Sequence, residues 1–276
     1  MVGYLLAALA FFTVFHFAPQ LGWRALFVIG ALPALLIFYI RANVPEPPAF
    51  LAQLRTRTRG APHVVLAAVR NHWPLFIYAI LFMSSLNFMS HGTQDLYATS
   101  LQTQRGFDTG ATTLLSVIAA FGAIAGGVFF GTLSQRFGRR ACIMIAAVLG
   151  FCAIPLWAFS PSFVLLGVGA FAMQFMVQGT WGVIPAHLNE LSPADTRGTF
   201  PGFTYQIGNL ISAGAAQMEA AFATGHFPLP GGGADYAKGM AIIAAICFGA
   251  VFVFAAIGFA IRAENRDASF MEPAAE

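Results

Sequence analysis

The sequence predicts an all-α integral membrane protein of eight transmembrane helices, and three observations carry that expectation. Of the 276 residues, 58% are hydrophobic and only 9% are charged, against about 25% charged in a soluble domain. So few charges cannot cover a water-facing surface, and lipid is the natural solvent. The apolar residues gather into eight runs near the length a bilayer demands, about 20 residues for a helix. Finally, Lys and Arg fall on alternate connections, eleven on one side and three on the other, as the positive-inside rule requires.

The first run, 1–18, has no basic residue before Arg24 and no small-residue cleavage site, so it reads as a membrane helix rather than a secretory signal. Pro19 and Gly22 separate it from the second run, 23–41. A Pro45–Pro48 cluster then opens the longest connection, 42–72, which is polar and basic. The third run is 73–91, and Gly106 to Gly110 lead to the fourth, 110–130. The basic segment 131–140 precedes the fifth, 141–159, and Ser160-Pro161 divides that from the sixth, 162–184. Ser192-Pro193 and the Pro228 to Gly233 segment bound the seventh, 202–222, and the eighth is 239–261. Pro and Gly are the expected punctuation between such runs.

The basic residues orient the chain. With both termini cytoplasmic, Arg41, Arg55, Arg57, Arg59, Arg70, Arg136, Arg139, Arg140, Arg197, Arg262 and Arg266 lie inside, and Arg24, Arg105 and Lys238 outside. The expected location is the plasma (inner) membrane. The 42–72 connection separates two helices from six, and many transporters join two six-helix halves through such a loop. The expected organisation is therefore 1–41 as the last two helices of an N-terminal half, 42–72 as a cytoplasmic central loop, 73–262 as a six-helix C-terminal half and 263–276 as a cytoplasmic tail. Two plus six leads to the expectation of four further helices ahead of Met1 in the working protein, the plainer alternative being a genuine eight-helix protein.

Several classes are disfavoured. A net charge of +3 gives no support for nucleic-acid binding. Cys142, Cys152 and Cys247 sit in apolar runs with no CxxC spacing, so neither a disulfide framework nor a metal site is expected. No HExxH, GxSxG or phosphate loop occurs, and no nucleophile–base pair, so an enzyme is not indicated. His16, His63, His72, His187 and His226 are assigned no function. The expected partners are a small solute and the lipid bilayer, with the chain a monomer and no cofactor beyond a coupling proton.

The most informative stretch is Asn87-Phe-Met-Ser-His-Gly-Thr-Gln-Asp-Leu-Tyr-Ala-Thr99. Asn87, Ser90, His91, Gln94 and Asp95 fall at i, i+3, i+4, i+7 and i+8, one face of a helix. A polar stripe on an apolar helix faces a bundle interior or a water-filled cavity. His91 can change charge near neutral pH, and Asp95, if desolvated, can accept a proton. Asn87, Ser90 and Gln94 offer uncharged donors and acceptors for a polar solute, so a proton site stands beside a solute site, as symport needs. The plainer alternative is a helix end whose polar residues reach the interface.

Other positions carry weaker signals. In Gly131-Thr-Leu-Ser-Gln-Arg-Phe-Gly-Arg-Arg140, Gly131 and Gly138 permit a tight turn, while Arg136, Arg139 and Arg140 anchor the loop inside and can pair with helix C-termini. Glu190 and Arg197 can form an inner-face ion pair that breaks as a transporter rocks, or an exposed pair without that role. Gln206 and Asn209, one turn apart beside Tyr205, line a cavity or make an interhelical hydrogen bond. Gly122, Gly126, Gly127 and Gly131 form two interleaved GxxxG spacings, which favour close helix packing.

Together these stretches resemble the major facilitator superfamily. Residues 131–140 resemble its signature loop in the second-half copy, with Gln135 where the usual form has Asp, which weakens a charge-relay version of the loop's gating role. Val44-Pro-Glu-Pro-Pro-Ala-Phe50 resembles the segment that opens the central loop, and Leu188 to Arg197 resembles the loop after the tenth helix of a twelve-helix member. The resemblance makes the predicted helices equivalent to helices five to twelve. The polar stripe is similar, position for position, to the Asn-x-x-(Ser/Thr)-His-x-(Ser/Thr)-Gln-Asp-x-x-x-Thr motif of the lactate and pyruvate proton symporters in the sialate:proton symporter family. Asn87, Ser90, His91, Thr93, Gln94, Asp95 and Thr99 occupy its fixed positions. The resemblance implies a monocarboxylate carried with a proton, His91 and Asp95 serving proton coupling or substrate affinity, Gln94 serving substrate binding and Gln206 lining the cavity. An Arg that meets the substrate carboxylate is expected in the family's first-half helices; Arg24 and Arg41 lie at loop ends. Sialic acid or another organic acid is an alternative cargo, and a non-transporting membrane fragment an alternative role.

Overall fold

The computed structural model describes residues 20–45, 69–193, 196, 199–229 and 233–260, together with Gly3, Leu6, Ala10, Thr13, Val14 and Phe17. The predicted span 1–18, the 42–72 loop, Arg197 and the 263–276 tail lie wholly or mostly outside the described residues. The described elements are helical: α1 (Gly22–Ala31), a 3-10 turn (Leu32–Leu35), α2 (Leu36–Asn43), α3 (Trp73–Gln94), α4 (Tyr97–Thr103), α5 (Thr109–Phe137), α6 (Arg139–Phe159), α7 (Phe163–Leu191), α8 (Phe200–Ser212), α9 (Ala215–His226) and α10 (Tyr236–Ala260). Among them, Pro228 and Ala234 make an isolated antiparallel bridge. Six described stretches are long and apolar enough to cross a membrane: Gly22–Asn43, Trp73–Thr103, Thr109–Phe137, Arg139–Phe159, Phe163–Leu191 and Tyr236–Gly258.

The chain divides into two compact units, Met1–His63 with Ser269–Glu276, and Val64–Ala268. In the first, α1 and α2 form one apolar run interrupted at the 3-10 turn, which carries Pro33 near its start. Proline has no N–H and its ring crowds the carbonyl of the preceding turn, so the regular ladder tightens there.

In the second unit the local signals that start and stop helices are explicit. The Asp108 carboxylate accepts from the Ala111 N–H at 3.0 Å to cap α5. The Ser162 hydroxyl accepts from the Leu165 N–H at 3.2 Å to cap α7. Such caps satisfy donors that a helix start leaves orphaned. Gly138, at φ 95°, ends α5 and turns the chain directly into α6; a side chain is strained in that region of backbone space.

Packing centres on α7, which lies against α5 and α6, while α10 lies against α6 and α3, and α3 against α8. On α5, Gly122 and Gly126 meet the backbone carbonyls of Phe171 and Phe175 so closely that a Cβ has no room, and Gly182 of α7 meets Gly127 in the same way. Small residues let helix backbones approach where lipid supplies no hydrophobic drive for association. Phe82, Met83, Leu86 and Met89 of α3 are fully buried with Trp157, Phe200 and Phe248. Phe76 meets Phe200 edge to face at 4.7 Å. Outward apolar side chains such as Val128, Val164 and Leu210 suit a lipid-facing surface.

The predicted span 202–222 is not one helix. It divides into α8 and α9, with Ala213 and Gly214 between them. The Ala213 N–H reaches back only to the Leu210 carbonyl, at 3.4 Å, and Gly214 sits at φ −91°, ψ 10°. Glycine is the poorest helix former after proline, and at this point the chain breaks. Hydropathy carries no trace of that break because both halves are apolar.

Candidate functional site

The polar stripe lies on the last two turns of α3 and continues to Asp95, which caps it. Asn87 is 3% exposed, and its amide nitrogen has no hydrogen-bond partner among the described residues. Ser90, His91 and Gln94 are half-buried and Asp95 is exposed, so the stripe grades from a sealed amide to an open carboxylate. The Gln94 amide donates to both the carbonyl (3.1 Å) and the hydroxyl (2.8 Å) of Ser90. One turn on, His91 Nδ1 stands 3.0 Å from Asp95 Oδ2, with side chains 42% and 35% exposed. Where Asp95 is ionised it can only accept, and the contact then calls for a proton on Nδ1.

Two positions of the motif do something different. Thr93 is 1% exposed and its hydroxyl donates to the Met89 carbonyl at 2.9 Å, so it faces the core. Thr99 lies on α4 and is half-buried.

Opposite α3 stands α8. Gly208 makes the contact: a Cβ on it would lie 3.0 Å from the Asn87 amide nitrogen and 3.0 Å from Met83 Cβ. The adjacent Asn209 is half-buried and Gln206 exposed, and the Asn209 amide reaches the Gln206 carbonyl oxygen at 3.5 Å. That is the outer limit of a hydrogen bond, so both side chains keep capacity for another partner. Tyr205 packs its ring against Trp181 of α7 at 5.8 Å.

At the far end of the unit, the Gly138 turn brings Arg139 against the last turn of α7. Arg139 Nε donates to Glu190 Oε1 at 3.0 Å, and its Nη1 donates to the Ser134 hydroxyl at 2.7 Å. The described partner of Glu190 is Arg139, because the reversal at Gly138 aims the start of α6 at the end of α7, while the expected partner Arg197 lies outside the described residues. Arg140 is buried and donates to the Gly258 carbonyl of α10. Arg136 remains exposed, and Gly131 lies where a Cβ would stand 3.3 Å from the Gly182 carbonyl.

Three features escaped the sequence reading. Glu219 on α9 is 1% exposed, and neither carboxylate oxygen has a hydrogen-bond partner among the described residues. A lone Glu within an apolar run was the signal that could have found it. His187 on α7 is fully buried with both ring nitrogens unpartnered and its ring edge-on to Phe82 at 6.1 Å; as a single histidine near a helix end it gave no distinctive pattern. The third is a polar cluster tying α4 to the start of α10. The Gln104 amide donates to Asp235 Oδ1 at 2.7 Å and accepts from the Ala237 N–H at 3.0 Å. Lys238 Nζ lies 3.0 Å from Asp235 Oδ2. Burial alone raises the Asp235 pKa, but hydrogen bonds from Gln104 and Lys238 and the charge of Lys238 outweigh it, and the carboxyl titrates below its ordinary value. With Arg105 and Phe107 this cluster lines an open cavity of about 410 Å³. Among the described residues, no three of His, Cys, Asp and Glu stand together as metal ligands.

Comparison with known proteins gives a consistent picture. The Major Facilitator Superfamily family model matches residues 1–217. The chain is 34% identical over 290 residues to the carboxylic acid transporter protein homolog of Saccharomyces cerevisiae, covering 95% of this chain and 46% of that protein. It is 25% identical over 217 residues to the sialic acid transporter NanX of Escherichia coli, covering 78% and 52%. It is 28% identical over 221 residues to the cis,cis-muconate transport protein of Acinetobacter baylyi, covering 77% and 52%. The chain spans about half the length of these curated relatives.

Proposed function

This chain belongs to the major facilitator superfamily, and on that premise we propose that it carries out proton-coupled symport of a small monocarboxylate, such as lactate or pyruvate, by alternating access. The family and the relatives are transporters rather than enzymes, and the relatives include carriers named for carboxylic, sialic and muconic acids. The membrane-spanning helices and these relatives make it an integral membrane protein. A plasma-membrane location with both termini cytoplasmic is part of the proposal, supported by the eleven-to-three placement of basic residues.

The observation that carries the reading is the His91–Asp95 pair at 3.0 Å, at the open end of a stripe whose other members are uncharged. A carboxylate taken out of water unpaired costs on the order of several kcal/mol. A proton on His91 supplies a counter-charge, and a proton on Asp95 removes a competing negative charge. Either one lowers the negative charge of a loaded cavity by one and so eases the rocking step. Asn87, Ser90 and Gln94, with Gln206 and Asn209 of α8, supply hydrogen bonds to the acid's oxygens. Arg139 and Glu190 serve as an inner-face clasp, and Gly131, Arg136, Gly138, Arg140 and Arg197 serve the gating loops. The coupling ion is the proton, and the carrier works as a monomer without a further cofactor.

The test is proton flux in vesicles loaded with a pH-sensitive dye, with lactate, pyruvate and sialic acid supplied in turn to the unaltered protein, His91→Ala and Asp95→Asn. Acidification with lactate or pyruvate, lost in both variants, is the expected result. Flux with sialic acid alone favours the larger organic acid as cargo, the second reading that the NanX similarity supports. No flux with any acid after correct insertion removes the transport reading for this chain.

A further inference from the structure

The buried face of α9 is Ala215, Glu219 and Ala223, at 5%, 1% and 0% exposure. Two alanines and a glutamate share one stripe at a spacing of four residues, and the stripe is pressed into the protein. The approach is close: a Cβ on Gly239 of α10 would stand 2.7 Å from Ala223 Cβ. Any small apolar residue would fill the place of Glu219 without burying two oxygens. Buried polar groups are normally hydrogen-bonded, yet neither Glu219 oxygen has a partner among the described residues.

Among the described residues no fixed counter-charge is paired with Glu219. α9 packs against α10 and α3. From α3, the group within Coulombic reach of Glu219 is Asp95, which holds His91 at 3.0 Å. From α10 it is the Cys247 thiol, and Lys238 in the first turn of that helix is engaged by Asp235. Glu219 therefore has a second carboxylate and a thiol within electrostatic reach, and that carboxylate is in turn paired with His91, a group able to become a cation.

We propose that Glu219 is a proton-carrying group of this transporter, exchanging the coupled proton with the His91–Asp95 pair. The proposal rests on the symport reading. A proton from water on the substrate side binds a Glu219 oxygen, which becomes a neutral carboxylic acid. The proton passes by way of Asp95 and leaves to water on the opposite side, and no other bond changes. The α8–α9 segment is broken at Ala213–Gly214 ahead of Glu219, and broken helices mark ion sites in other transporters.

Infrared spectroscopy of the reconstituted protein tests this directly, alongside dye-reported acidification and labelled-lactate exchange. The expected result is a protonated-carboxyl C=O band that responds to pH and to lactate, is lost in Glu219→Gln and is unaffected by Asp235→Asn. Glu219→Gln is expected to abolish net acidification while retaining exchange, and Glu219→Asp to restore acidification. A band that survives Glu219→Gln, or acidification that survives it, overturns the proposal. If the unaltered protein moves no carboxylate but its band still depends on Glu219, the symport reading fails and the proton site stands.

Discussion

Gly208 of α8 lies against Asn87 of α3, so close that a Cβ on the glycine would stand 3.0 Å from the Asn87 amide nitrogen. The contact joins the sealed end of the polar stripe to the helix that carries Gln206 and Asn209. Gly208→Ala must displace Asn87 or separate the helices. Overpacking of this kind costs about 1–3 kcal/mol. The expected outcome is a lower melting temperature and weaker lactate uptake, whereas Gly202→Ala, where nothing lies within 4 Å of the added Cβ, leaves both nearly unchanged.

The His91–Asp95 pair separates function from stability. Its side chains are 42% and 35% exposed, and exposed pairs contribute about 0–1 kcal/mol. Asp95→Asn is therefore expected to melt within a few degrees of the unaltered protein while losing lactate-driven acidification. A large drop in melting temperature would assign the pair a structural role instead.

Arg139 and Glu190 are 18% and 9% exposed, a more enclosed pair. Removing one partner of a buried pair costs roughly 3 kcal/mol or more because the other charge is stranded. Arg139→Ala and Glu190→Ala are each expected to destabilise, and the double variant to lose much less than the sum. A denaturation cycle returning additive losses would show that the two do not act as a pair.

Asp235 sets an acid limb. Its pKa in the folded protein lies below the ordinary value of 3.8, so its contribution is fully present above that unfolded value and disappears as pH falls through the lower folded value. Asp235→Asn is expected to lower the melting temperature at neutral pH, with a stability loss of at most the roughly 1.5–3 kcal/mol of a hydrogen bond to a charged group. It should also flatten the further loss below about pH 4. Equal slopes in the two proteins would show that other carboxyls carry the limb.

Much of the fold was legible because helix formation in lipid is a local matter. The runs at 73–91, 110–130, 141–159, 162–184 and 239–261 became α3, α5, α6, α7 and α10, with α5 and α7 running about two turns past the C-terminal ends of their apolar runs. The glycine spacing on α5 foretold its close approach to α7. The site was legible in part. Spacing put His91 beside Asp95, since residues four apart on a helix are neighbours. It could not say that Thr93 turns to the core or that Asn87 is sealed while Asp95 is open, because burial depends on which helix crosses where.

By itself the sequence determined the all-helical membrane class, most span positions and the composition of the polar stripe. These follow from properties of one segment at a time: hydropathy, length and the 3.6-residue period. Only the tertiary structure decided that Glu190 meets Arg139, that α8 and α9 divide at Gly214, and that Glu219 lies within electrostatic reach of Asp95. Those relationships join residues far apart in the chain, and their partners are chosen by packing. A carboxylate in an apolar run looks the same in sequence whether its helix turns it toward lipid, toward water or toward another acid.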